Sequence, residues 1–133
     1  MSAERYVIGV DFGSGSCRAV LMDACDGRRV ADSSCEYPRW IAGKYCDPAG
    51  DRYRQHPQDY IDVFRHVIGE IAAKAGASVM AKVEGMSFDT TASTPVLVDG
   101  NGTPLALLPE FAEDPDAMFI LWKDHTSKAE ADE

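Results

Sequence analysis

Asp11-Phe12-Gly13-Ser14-Gly15-Ser16-Cys17-Arg18 places a carboxylate, two glycines, two serine hydroxyls and a guanidinium within eight positions. Such a bend can wrap a phosphate. Glycine lets backbone N–H groups close on the oxygens, Ser14 and Ser16 add donors, and Arg18 neutralises charge, each charge-assisted bond contributing about 1.5–3 kcal/mol. Asp11 does not fit that role by itself, because a carboxylate 4 Å from a phosphate oxygen is repelled by about 4 kcal/mol at an effective dielectric of 20. It makes sense through a bridging cation or ordered water, and Mg2+ is the implied ion. The same residues also suit a plain hairpin capped by Asp11, and composition leaves both readings open.

The elements that must hold this bend have a modest amount of chain to draw on. The 133 residues are 45% hydrophobic and 26% charged, which is globular composition for one core rather than two independent domains. Thirteen Lys and Arg against twenty-two Asp and Glu give a net charge of −9. The average field therefore repels polyanions, and neither nucleic acid nor an anionic membrane is expected as a partner. Nothing approaches the ~20 apolar residues that span a bilayer, and Met1-Ser2-Ala3-Glu4-Arg5 carries no secretory hydrophobic region, so a cytoplasmic location is expected. Cys17, Cys25, Cys35 and Cys46 show neither Cys-x-x-Cys spacing nor a nearby His, which points to free, mostly buried thiols.

Tyr6 to Val10 and Cys17 to Met22 are apolar runs on either side of the glycine-rich bend, and Asp26-Gly27 leads to a third strand-like segment near Val30. An antiparallel three-strand meander is expected. Tyr37 to Gln55 mixes prolines and glycines with Trp40, Tyr45 and Tyr53, as a packed excursion loop would. Pro57 suits a first helical turn, Tyr60, Phe64, Val67, Ile68, Ile71 and Ala75 share one face, and Gly76 offers a stop. A strand is expected over Val83 to Phe88, then a hairpin pairing Pro95–Val98 with Leu105–Leu108. Ser127-Lys128-Ala129-Glu130 fits a capping box, which announces a helix running past Glu133.

Three strands, a helix and further strands make a mixed α/β layout, and meander-then-helix is the order of a ribonuclease-H-like unit, not of a Rossmann start. On that scaffold the Asp11–Arg18 bend resembles the first phosphate loop of the FGGY carbohydrate kinases, members of the actin-like ATPase superfamily. Five further stretches are similar to the same family, in the same order: Tyr37-Pro38-Arg39-Trp40, His56-Pro57-Gln58-Asp59-Tyr60, Asp89-Thr90-Thr91-Ala92-Ser93-Thr94-Pro95, Pro109-Glu110-Phe111-Ala112 and Leu121-Trp122-Lys123-Asp124-His125-Thr126. Complete family members are several times longer, so residues 1–133 resemble the N-terminal part of their first domain.

The resemblance implies ATP-dependent phosphorylation of a ketopentose. It assigns ATP-phosphate contacts to Gly13, Ser14, Ser16 and Arg18, with Asp11 organising Mg2+ directly or through water. Thr90, Thr91 and Ala92 match the sugar-contacting turn, where short donors at a strand end can reach a cleft and Ala92 leaves room. A polar turn bonded to its own backbone explains the same residues. Trp122 would wall the sugar pocket and Asp124 orient it, and a packed tryptophan beside a helix-flanking aspartate is the structural counterpart. The general base, the second phosphate loop and the adenine pocket are expected downstream, so the 133 residues alone are expected not to turn over. The expected partners are ATP and a small sugar, with a homodimer left open. Two rivals share the scaffold: a metal-dependent nuclease using Asp11 and Asp89 as paired carboxylates, and a nucleotide-binding module without catalysis. His56 and His66 read as solvent-facing or packing residues, and His125 has no identifiable partner that would make it a base.

Overall fold

The computed structural model describes residues 4–133. Met1, Ser2 and Ala3, part of the stretch read above for a leader, lie outside the described residues. The chain divides into two compact units, residues up to Glu36 with Asp62–Thr90, and Tyr37–Ile61 with Thr91–Glu133. Composition suggested one core. The excursion after Glu36 carries enough aromatic surface to pack with its own partners, which gives the second unit a core of its own.

In the first unit, β1 (Tyr6–Phe12), β2 (Ser16–Asp23) and β3 (Arg29–Glu36) form the expected antiparallel meander. β6 (Val83–Thr90) lies parallel to β1, so the sheet order is β3-β2-β1-β6. Alternation decides the faces: Ile8, Val10, Cys17, Ala19, Leu21 and Ala31 are buried, while Asp11 and Arg18 fall on the opposite, open face. Helix α2 (Pro57–Ala75) buries Val63, Val67 and Ile71 at i, i+4 and i+8. Each such side chain contributes about 1.5–3 kcal/mol of hydrophobic stabilisation. The stripe expected from sequence is rotated slightly: Phe64 and Ile68 flank it half-buried, and Phe64 meets Phe12 and Phe88 at ring-centroid distances of 6.2 and 5.8 Å. The helix stops where expected, since Gly76 has φ 84° and an L side chain there would be strained. The short helix α3 (Ala77–Met80) then leads into β6.

The second unit contains α1 (Pro38–Ile41) and a small sheet ordered β4-β5-β7, from β4 (Cys46–Asp47), β5 (Arg52–Gln55) and β7 (Phe119–Ile120). Ala106, Ala117 and Met118 are buried together, with Tyr45, Leu105 and Phe111 packed against them. Tyr60 stacks on Tyr37 at 4.8 Å and lies 4.6 Å from Phe119. His56 is buried at the helix start, its Nδ1 accepting the Gln58 N–H at 3.0 Å and its Nε2 lying 3.0 Å from Ala112 O. It acts as the cap of α2, which is a packing role.

Three expectations need correction. Leu105–Leu107 is a 3-10 turn, and only Val98 and Pro104 bridge where a hairpin was expected. Pro104 and Pro109 confine the run, and Asp99 organises the turn by accepting the Asn101 and Thr103 amides, which hold its carboxyl below the usual range. Ser127 precedes α4 (Lys128–Ala131) without a side-chain cap, so the capping box does not form. The cysteines are all free, but only Cys17 is buried; Cys25 is exposed and the other two are intermediate. No helix among the described residues is long and apolar enough to cross a membrane.

Candidate functional site

The phosphate-loop candidate sits at the tip of the β1–β2 hairpin. Register places Asp11 opposite Arg18 on one side and Asp89 on the other, and Arg18 opposite Ser34. Residues directly opposite share a face, so Ser34, Arg18, Asp11 and Asp89 form one row across four strands on the open side of the sheet. They line a concavity of about 510 Å³ together with Asp32 and Ser87. Arg18 Nη2 donates to Asp11 Oδ2 at 2.5 Å, so the carboxylate is already balanced by the guanidinium. Both side chains are well exposed, 65% and 41%. An ion pair so placed contributes about 0–1 kcal/mol and is readily exchanged for another anion.

At the bend, Gly13 N–H donates to Ser16 O at 2.9 Å, closing the loop. A Cβ on Gly13 would lie 3.3 Å from that same oxygen, which is why a glycine suits the position. Its N–H is thus committed to the shape of the bend. Behind it, burial and then the Asp11 charge raise the Cys17 thiol to about 11, so it stays protonated. Among the described residues no group of three or more His, Cys, Asp or Glu could hold a metal ion. Mg2+ asks less of a protein, one or two carboxylates, the rest of its shell being water and substrate phosphate oxygens. Two carboxylates stand side by side there, Asp11 paired with Arg18 and Asp89 accepting the Thr90 N–H on Oδ1 at 2.9 Å.

Thr90 ends β6 and is exposed. In the second unit, Thr91 and Thr94 share a hydroxyl contact of 3.1 Å, and Thr94 Oγ1 donates to Ala92 O at 3.2 Å. Ser93 has φ 52°, and the exposed Ala92 sits at the tip of this self-bonded turn. Ile120 N–H donates to Pro95 O at 2.9 Å, tying the turn's far end to β7.

Trp122 is 55% exposed, and Lys123 holds its ammonium 4.3 Å from the Tyr53 ring centroid and 5.0 Å from that of Trp40. Asp124 behaves differently. Its side chain is fully enclosed and accepts from Arg54 Nε at 2.8 Å, the Tyr53 amide at 2.7 Å, the Thr126 amide at 3.1 Å and the Thr126 hydroxyl at 2.6 Å. Burial opposes its charge, but the hydrogen bonds from Arg54, Thr126 and the Tyr53 amide outweigh it and hold the carboxyl well below the usual carboxylate range.

Sequence reasoning missed Arg54 and the pair formed by Arg39 and Asp59. Arg39 Nη1 donates to Asp59 Oδ1 at 2.6 Å and its amide to Asp59 Oδ2 at 3.0 Å, placing a buried carboxylate in the first turn of α2. The signal for Arg54 is faint: an arginine in a short strand with alternating neighbours reads as surface until its buried acceptors are known.

No family model matches the chain. It is 50% identical to the ribulokinase of Vibrio parahaemolyticus serotype O3:K6 over 129 residues, 97% of this chain and 23% of that relative. It is 38% identical to the ribulokinase of Geobacillus thermodenitrificans over 133 residues, covering 96% of this chain and 23% of the relative. The chain thus spans under a quarter of the length of these curated relatives. Among solved structures, a xylulose kinase from Rhodospirillum rubrum superposes with a TM-score of 0.70 at 23% identity, over 97% of this chain and 24% of that one. A gluconate kinase from Lactobacillus acidophilus does so at 0.71 and 18%, over 98% and 22%. These likenesses show the ribonuclease-H-like α/β fold expected from the order of elements. The chain is therefore similar to ribulokinases across nearly all of its own length, and an N-terminal piece of an FGGY carbohydrate kinase fits it.

Proposed function

We propose that the complete protein carrying this chain transfers the γ-phosphoryl group of ATP to the terminal hydroxyl of L-ribulose, forming the 5-phosphate. The observation that carries this reading is the 50% identity to a ribulokinase across 97% of the chain. The exposed Asp11–Arg18 pair at the hairpin tip supports it. Catalysis of phosphoryl transfer is mostly positioning and charge stabilisation. Arg18, weakly held by Asp11, turns to the phosphate oxygens when ATP arrives. Ser14 and Ser16 add hydroxyl donors, and Gly13 keeps the bend tight enough for the backbone to approach. Bound magnesium supplies charge neutralisation on the transferring group, with Asp11 holding it directly or through water. Thr90, Thr91 and Ala92 meet the sugar, and Trp122 forms one wall of its pocket.

The nuclease alternative has one observation in its favour, the register of Asp11 beside Asp89. Asp11 is paired with Arg18, however, and the net charge of −9 repels a polyanion.

A coupled assay with ATP, Mg2+ and L-ribulose tests the reading. The full-length protein should turn over and the 133 residues alone should not, because the proton-accepting aspartate is expected downstream. Turnover by the short chain would refute this division of labour, and an inactive full-length protein would refute the kinase reading itself.

A further inference from the structure

We propose that Arg54 is a positioning residue for the sugar: it locks Asp124 so that the Leu121–Asp124 turn presents Trp122 and Lys123, and Asp124 itself makes no contact with substrate. The inference rests on the sugar-kinase reading above. A carboxylate has about four acceptor sites, and those of Asp124 are filled by Arg54, the Tyr53 amide and two groups of Thr126. A sugar hydroxyl would have to displace one of them inside an enclosed site. Arg54 is itself buried and distributes its donors over two segments, with Nε on Asp124 Oδ2 at 2.8 Å, Nη1 on Asp116 Oδ1 at 2.8 Å and Pro115 O at 3.1 Å, and Nη2 on Thr126 Oγ1 at 3.1 Å.

The turn between these anchors is held at both ends. Leu121 is buried and its amide donates to Tyr53 O at 3.1 Å, while Asp124 N–H closes the turn on Leu121 O at 2.8 Å. The two central positions are Trp122, more than half exposed, and Lys123, whose ammonium is fixed over the Tyr53 and Trp40 rings. Arg54 and Tyr53 are neighbours on β5, so one strand both anchors the turn and supplies a ring that holds Lys123. A lysine cannot reproduce this fork, because its single ammonium cannot serve Asp116, Asp124 and Thr126 in one plane.

The test is a double-mutant cycle in the full-length kinase, reading sugar KM, ATP KM and kcat. Arg54→Lys and Asp124→Asn should each raise sugar KM about ten-fold and leave kcat at saturating sugar and ATP KM within about two-fold, as loss of substrate positioning does. The double variant should be no worse than the poorer single one, because the two residues act as a unit. Multiplying effects would mean that Asp124 touches sugar directly, and unchanged sugar KM, or a fall in kcat alone, would equally overturn the proposal. Thr126→Val removes the exposed hydroxyl that donates to Asp124 and accepts from Arg54, and serves if the buried variants fail to fold; it should raise sugar KM about three-fold, because the Arg54–Asp124 contact itself stays. If the parent enzyme does not phosphorylate L-ribulose, the kinase reading fails. NMR on the 133-residue chain then decides the present point. Thr126→Val should shift the Tyr53 amide and the Trp122 indole N–H while sparing the amides of α2, and an unmoved Trp122 would overturn it.

Discussion

Asp11 and Arg18 are direct register partners on the adjacent strands of the first hairpin, with the guanidinium on the carboxylate at 2.5 Å. The pair lies open to solvent, so it offers a cation to an incoming anion without much loss of fold stability.

On the proposed reading, Arg18→Ala in the full-length protein should therefore lower kcat by about 10²-fold, the scale of removing one charge-stabilising donor. Folding stability should change by less than about 1 kcal/mol. Steady-state kinetics and a urea titration measure the two quantities, and unaltered kinetics would remove Arg18 from the proposed role.

Ala92 stands at the tip of the Thr91–Thr94 turn and is exposed. Ala92→Leu should raise sugar KM and spare ATP KM, with little effect on melting temperature, since no core is crowded. Unaffected sugar affinity would place Ala92 outside the pocket.

Burial pushes the His56 imidazole below its ordinary pKa of 6.5, outweighing the favourable carbonyl of Ala112. The folded state thus prefers the neutral ring, whose Nδ1 accepts the Gln58 amide. The associated stability is complete above the unfolded pKa of 6.5 and declines as pH falls from there through the lower folded value. Thermal melts from pH 7.5 to pH 5 should show this loss, and His56→Gln should flatten the profile. An equal slope in the variant would contradict the assignment.

Asp59 is buried and takes both the amide and the guanidinium of Arg39. Asp59→Ala leaves those donors without their acceptor and should destabilise the chain by about 2–3 kcal/mol, less than a fully buried pair because Arg39 is part exposed. Equilibrium denaturation gives the value.

How much of this was legible in the residues varies by region. The apolar runs Tyr6–Val10 and Cys17–Met22, with glycines and serines between, read as a hairpin because strand propensity and turn chemistry are local. Pro57 and Gly76 bracket α2 for the same reason. The Leu105–Leu108 run misled because an apolar tetrapeptide has no period of its own, and flanking prolines tipped it to a 3-10 turn. His56 looked like a mere helix neighbour, since its burial depends on Ala112, far along the chain.

From the order of residues alone came the meander, the long helix, the glycine–serine bend and the family likeness, all of which depend on spacings within a few turns or on collinear segments. Only the tertiary structure decided that Asp11 is balanced by Arg18 while lying beside Asp89, and that Asp124 is spent on Arg54, Tyr53 and Thr126. It also decided that the excursion builds a second compact unit. Those outcomes depend on which distant donors and acceptors meet once strands are in register, and a carboxylate's role is set by the company it keeps in space.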